Sequence, residues 1–217
     1  MNPTRLYLIR HGETEFSGDD IFGGSKDVDL NGEGRRQINC LARRLSNENI
    51  AAIYCSALRR AIETASILAE PLKLTPQIRM GLREIHHGHW EPMKEVEVMR
   101  CFPEEYAAWQ EDPFTFAPED GETGLEVLTN ALPVIREIVT NHSGQTVAVI
   151  SHEATLKLIL SSVLGIDLRV FRDRLALSPG SLNIVEFYNP VTTRLVLFND
   201  ISHYSERPPI VQKLFAN

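Results

Sequence analysis

Hydrophobic positions along this chain follow two rhythms. Three short apolar runs, Arg5–Arg10 (RLYLIR), Ala51–Cys55 (AAIYC) and Thr146–Ile150 (TVAVI), read as strands buried on both faces. Between them apolar residues recur at helical spacing. Ile38, Leu41, Ala42 and Leu45 share one face of a helix that Asn31 can cap and that runs to about Ser46. A second helix is expected from Leu58 to Ala69, stopped by Pro71. Further helical stretches cover Lys94–Cys101, Glu104–Glu111 and Leu125–Asn141, and an apolar helix follows His152 to Leu164. Leu182–Tyr188 and Arg194–Phe198 flank the turn at Asn189-Pro190 and predict an antiparallel hairpin.

Strands alternating with helices predict an α/β fold: three layers, a doubly wound and mostly parallel sheet with helices on both faces. In such sheets ligands sit beyond the carboxyl ends of the strands. Arg10-His11 and Ser151-His152 both fall at such ends.

The chain has 217 residues, 43% hydrophobic and 24% charged, enough for a single domain over 1–217 with a sizeable core. A net charge of −7 without runs of Lys and Arg argues against nucleic acid as a partner. Three cysteines without a CxxC pair predict no disulfide framework and a cytoplasmic location. The apolar stretch near the N-terminus is too short for a signal or a membrane span, so no membrane partner is expected.

Two histidines at strand ends, with arginines able to reach the same mouth, suit a phosphoryl group. A guanidinium donates paired hydrogen bonds to phosphate oxygens and stays charged. A neutral imidazole is a competent nucleophile towards phosphorus, and a nearby carboxyl group can protonate the departing oxygen. Fixed positive groups can stabilise the transferring charge, so neither metal nor other cofactor is called for.

The motifs make this specific. Leu8-Ile9-Arg10-His11-Gly12-Glu13-Thr14 resembles the RHGE(T) motif of the histidine phosphatase (phosphoglycerate mutase-like) superfamily. Asp29-Leu30-Asn31 with Gly34 and Gln37, Cys55-Ser56 with Leu58, Arg60, Ala61, Thr64 and Ala65, and Leu82-Arg83-Glu84-Ile85 with Gly88, Trp90 and Glu91 resemble further elements in family order. Gly121-Glu122-Thr123 and Val149-Ile150-Ser151-His152 complete the series, so the resemblance spans nearly the whole chain. It implies His11 as the phosphorylated nucleophile and Glu84 as the proton donor and later base. Arg10, Arg60 and His152 would complete a phosphate pocket, with Ser17 standing where the family often has Asn. Asp20-Ile21-Phe22-Gly23-Gly24 replaces the family's usual G-R-x-Q-G, which places Gly23 and Gly24 on the substrate side. Glu91-Pro92 replaces Glu-Gly, and Asn130 stands where Arg is common.

The implied activity is a metal-independent phosphomonoesterase acting on a small phosphate ester. Mutases of the superfamily carry L-N-E-R-H-Y-G-x-L and a longer insertion around the acid; this chain reads LREIHHGHWE and is shorter, which favours phosphatase over phosphoglycerate mutase. A non-catalytic phospho-ligand binder is the third reading, disfavoured because every implied catalytic group is present. A carboxylate-bearing substrate such as phosphoserine is one expectation, with protonated His87 and His203 pairing with the carboxylate; structural packing of His87 is the alternative. His86, His87 and His89 could instead ligate a metal, but they lack an i, i+4 spacing. Trp109 and Phe114 can line a pocket roof or serve as core. Assembly as a homodimer stays open.

Overall fold

The computed structural model describes residues 2–17, 21–189 and 191–205, so Asp20 and Pro190 lie outside the described residues. In chain order its elements are β1 (Thr4–Arg10), α1 (Gly32–Leu45), β2 (Ile50–Cys55), α2 (Arg59–Leu72) and β3 (Gln77–Ile78). There follow α3 (Glu95–Cys101), α4 (Pro103–Glu111), α5 (Gly124–Asn141), β4 (Thr146–Ser151), α6 (Glu153–Leu164) and α7 (Phe171–Arg174). The hairpin β5 (Leu182–Phe187) and β6 (Thr193–Asp200) comes last. Three single 3-10 turns, Met80–Leu82, Gly88–Trp90 and Leu168–Val170, punctuate the loops.

One six-stranded sheet runs in the order β3-β2-β4-β1-β5-β6. The first four strands are mutually parallel; β5 and β6 are antiparallel. Strand alternation sorts the side chains to two faces. Leu6, Leu8, Val147 and Val149 point into a core shared with Ile135 and Ile138 of α5 and Leu156 and Ile159 of α6. Tyr7, Ile9, Ala148 and Ile150 point the other way, against Ile38 and Leu41 of α1 and Ala65 and Leu68 of α2. This is the expected three-layer α/β architecture.

Some boundaries differ from expectation. Pro71 does not stop α2; it sits inside the last turn, and the helix ends at Lys73, whose left-handed conformation (φ 55°) closes it. The two-residue edge strand β3 and the four-residue α7 carry too few residues to show a period. Cys40 lies on a partly exposed flank of α1, with its sulfur accepting from Arg43 Nη2 at 3.0 Å.

Helix α1 clamps the loop after β1. Asn31 caps it as expected, its side chain accepting from the Gly34 backbone N–H at 2.8 Å, a contact worth about 1 kcal/mol. Asn31 Nδ2 also donates to Glu13 Oε1 at 2.9 Å, and Gln37 Oε1 accepts from the Glu13 N–H at 3.1 Å. Gly34 permits this approach: a Cβ there would stand 2.2 Å from the Glu13 carbonyl oxygen. Asn31, Gly34 and Gln37 therefore share one task, holding the backbone of the His11-Gly12-Glu13 turn against α1.

Candidate active site

The carboxyl ends of all four parallel strands meet at one cavity. Strands β1 and β4 are paired with Arg10 opposite Ser151, and the His11 N–H extends that ladder to the Ser151 carbonyl at 3.0 Å. The next residues, His11 and His152, therefore stand side by side, ring centroids 5.1 Å apart. Strand β2 leads into α2, whose first turn carries Arg60. Beyond β3 the chain passes through the Met80–Leu82 turn to Glu84. Arg10, His11, Arg60 and Glu84 line a cavity of about 270 Å³, just under the ~300–1,000 Å³ typical for drug-sized ligands.

His11 is buried, and its Nδ1 sits 2.7 Å from the Gly12 carbonyl oxygen. A carbonyl can only accept, so Nδ1 bears the proton and Nε2 carries the lone pair. Arg60 Nε donates to that Nε2 at 3.2 Å. Burial, then the positive charges of Arg60 and Arg10, hold the imidazole well below its ordinary pKa of 6.5, so it is neutral at physiological pH.

Arg60 is anchored by two loop carbonyls, Gly24 through Nη2 and Lys26 through Nη1, each at 2.7 Å. Gly24 adopts φ +33°, and a Cβ there would meet Glu91 Oε1 at 1.8 Å. Only glycine lets the loop turn this tightly beneath the buried Glu91 carboxylate. That carboxylate accepts from Ser25 N–H at 3.0 Å, Ser25 Oγ at 2.9 Å and His87 N–H at 2.7 Å, joining the loop to the segment that follows Glu84.

Arg10 pairs through Nη1 with Glu153 at 2.6 Å, while its Nε is buried without a partner. His152 is fully buried behind the cavity lining. Its Nε2 lies 2.7 Å from Ser56 Oγ, and its Nδ1 likewise has no partner. Burial foremost, with the charge of Arg60, keeps it neutral.

Glu84 is half-buried against the N-terminal turn of α6. Its carboxylate accepts from the N–H groups of Ile85 (3.1 Å), Ala154 (3.2 Å) and Thr155 (3.2 Å) and from Thr155 Oγ1 (3.1 Å). Those donors and the Arg60 charge favour the ionised form; burial outweighs them and raises the carboxyl above its usual range.

The structure brings most of the remaining expected residues to the same cavity. Ser17, Gly23, Gly24 and His87 line it. Ser17 Oγ is occupied locally, accepting from the Thr14 N–H at 2.9 Å. His87 lines the cavity without the charge expected of it. It packs edge-on against Phe22 at 4.9 Å and Trp109 at 6.0 Å. Burial, Arg172 and His86 depress its pKa from 6.5 to about 3, so it is a neutral ring at neutral pH. His203 is absent from the cavity lining. It lies against Tyr204, ring centroids 4.8 Å apart, and burial and Arg44 lower it to about 4. The carboxylate pairing expected of it finds no support in this placement.

The HHGH run diverges. His86 Nδ1 contacts the Asp120 carbonyl at 2.8 Å, His89 Nδ1 the Glu119 carbonyl at 3.2 Å, and His87 turns to the aromatic cluster. Among the described residues no three His, Cys, Asp or Glu side chains gather to hold a metal ion. Trp109 fills both roles considered for it, packing with Phe22, Trp90, Val98 and Tyr106 while lining the cavity. Phe114 packs beside Ile85 and Phe171 and does not line it.

Sequence reasoning missed Ser56, Thr155, Glu153, Lys157 and Arg172. Ser56 is itself part of a quoted motif and Glu153 directly follows His152, both usable signals. Arg172 lies in a stretch without a motif.

The chain belongs to the histidine phosphatase superfamily, branch 1: the family model matches residues 6–201. It is a histidine-type phosphatase with a phosphoglycerate mutase-like α/β fold. It is 34% identical over 167 residues to phosphoserine phosphatase 1 of Hydrogenobacter thermophilus, covering 77% of this chain and 79% of that one. It is 32% identical to the glucosyl-3-phosphoglycerate phosphatase of Mycolicibacterium vanbaalenii, over 76% of each chain. Among solved structures, Bacillus stearothermophilus YhfR superposes with a TM-score of 0.86 at 31% identity, over 93% of this chain and 100% of that one. Among the described residues no helix is long and apolar enough to cross a membrane.

Proposed function

We propose that the protein is a metal-independent phosphomonoesterase that hydrolyses a small phosphate ester through phosphorylated His11. The observation that carries this reading is a neutral His11, its Nδ1 proton committed to the Gly12 carbonyl and its Nε2 lone pair facing the Arg60 guanidinium, within the field of Arg10. Arg10 Nε, buried without a partner, is a donor that a phosphate oxygen would satisfy, and the unpartnered His152 Nδ1 is another when its Nε2 accepts from Ser56.

An entering phosphate dianion offers the Arg60 Nε–H a better acceptor than imidazole and frees the His11 lone pair. His11 Nε2 then attacks phosphorus as the ester P–O bond breaks. The departing alkoxide takes the proton of Glu84, whose raised pKa keeps the acid form within reach. In the second half-reaction the Glu84 carboxylate takes a proton from water. The water oxygen displaces His11 from phosphorus, releasing inorganic phosphate and restoring both residues. Arg10 and Arg60 hold the equatorial oxygens throughout, supplying the charge that phosphoryl transfer needs. The two relatives are named for phosphoserine and glucosyl-3-phosphoglycerate; both compounds bear a carboxylate, which supports a phosphorylated acid as the substrate class.

The test is hydrolysis of a phosphomonoester panel in EDTA, with rapid acid- and base-quench of wild type and His11→Ala. Full activity in chelator and an acid-labile, base-stable phosphoenzyme missing from His11→Ala are expected. Loss in EDTA reversed by a divalent ion refutes metal independence. A His11→Ala enzyme retaining even about a hundredth of the rate refutes the nucleophile, because uncatalysed monoester hydrolysis is extremely slow.

A further inference from the structure

Beyond the phosphate pocket, the cavity wall built by α4 and α7 presents one more guanidinium. Arg172 stacks over the Trp109 ring, its Cζ 3.5 Å from the ring centroid, and both side chains line the cavity. Its backbone is held as well: Lys157 Nζ donates to the Arg172 carbonyl at 3.1 Å. Stacking engages only the face of the guanidinium, so its in-plane N–H groups stay open to a planar acceptor.

The other cations of the cavity each already have a carboxylate or carbonyl partner. Lys157 is paired with Glu153 at 2.8 Å, Arg10 with the same carboxylate, and Arg60 with two carbonyls. Arg172 forms no ion pair among the described residues, although Glu95, Asp173 and Glu153 are near enough to act on it electrostatically. Glu95 is itself engaged by the Tyr106 hydroxyl. An immobilised fork whose in-plane N–H groups are not tied to a carboxylate, in the cavity that holds the nucleophile, fits a second anionic group on the substrate.

We propose that Arg172, stacked on Trp109, is the specificity residue that binds the carboxylate of the substrate. This rests on the phosphatase reading above and assigns to Arg172 the positive charge that His87 lacks. A carboxylate matches the planar fork with two parallel hydrogen bonds, which a hydroxyl or an ammonium group cannot form.

The experiment compares phosphoserine with phosphoethanolamine, which differ by that carboxylate, in wild type, Arg172→Gln and Arg172→Lys, with p-nitrophenyl phosphate as a substrate lacking a carboxylate. Wild type is expected to favour phosphoserine in kcat/KM by about ten- to a hundred-fold, the range for a charge-assisted pair. Arg172→Gln should erase the preference, Arg172→Lys should restore only part of it, and aryl phosphate turnover should be unchanged in both. Calorimetry with phosphonopropionate and propylphosphonate, which need no turnover, should give the same pattern in affinity. Equal binding of the two phosphonates by wild type, or a preference that survives Arg172→Gln, overturns the assignment. Absence of turnover on all three esters would instead refute the phosphatase reading, while the phosphonate pair still reads the subsite.

Discussion

Replacing His87 with leucine should make the protein resist acid better. The half-buried ring packs against Phe22 and Trp109, and its buried Nδ1 has no hydrogen-bond partner. Leucine, of similar volume, removes no side-chain bond through that atom. In the folded protein the imidazole titrates near 3, against 6.5 when exposed. Between those values the unfolded chain holds a proton that the folded one lacks, so stability falls with falling pH, beginning near 6.5. At about 1.36 kcal/mol per pH unit, the loss from His87 alone between pH 7 and pH 5 comes to about 2 kcal/mol. His11 and His152, also buried and neutral, titrate equally in both proteins and cancel in the comparison. Urea unfolding of wild type and His87→Leu at the two pH values measures the difference directly. The variant should gain about 2 kcal/mol relative to wild type on moving to pH 5, roughly 4–8 °C in Tm for a chain of this size. A stability difference independent of pH would show that His87 titrates normally, and with it the argument that it cannot carry charge to a substrate would fail.

Glu84→Gln keeps the shape of the acid without a proton to give, so alkyl esters should lose far more in the phosphorylation step than p-nitrophenyl phosphate; equal losses measured by burst kinetics would remove Glu84 from the acid role. Because burial raises the Glu84 carboxyl, kcat/KM for alkyl esters should fall as pH rises through its titration, and that limb should vanish in Glu84→Gln; a pH profile identical in both proteins contradicts this. Gly34→Ala drives a methyl into the Glu13 carbonyl at 2.2 Å, so it should destabilise by about 1–3 kcal/mol and displace the His11 turn, lowering kcat for every ester alike; wild-type denaturation and turnover would show that the turn does not depend on this contact.

Much of this molecule could be read from its residues, because the information was local. Apolar runs of strand length, helical periodicity and the Asn31 cap are properties of neighbouring positions, and the structure follows them almost element by element. Arg10, His11 and His152 can be singled out because they stand at the ends of such strands, whereas Arg60 and Glu84 are legible only through their resemblance to the family's motifs. Their meeting at one cavity, however, comes from the strand order β3-β2-β4-β1, which brings distant segments together. The charge on a side chain was not local either. His87 reads as a titratable group in the sequence and becomes a neutral ring only because Phe22, Trp109 and Arg172, from three other segments, exclude water and add positive charge around it. Likewise Arg172 resembles any surface arginine until α4 and α7 pack and set its guanidinium over Trp109. Sequence pattern determined the layers and the chemical groups; tertiary packing decided which groups are dry, which are paired and which are left to face a ligand.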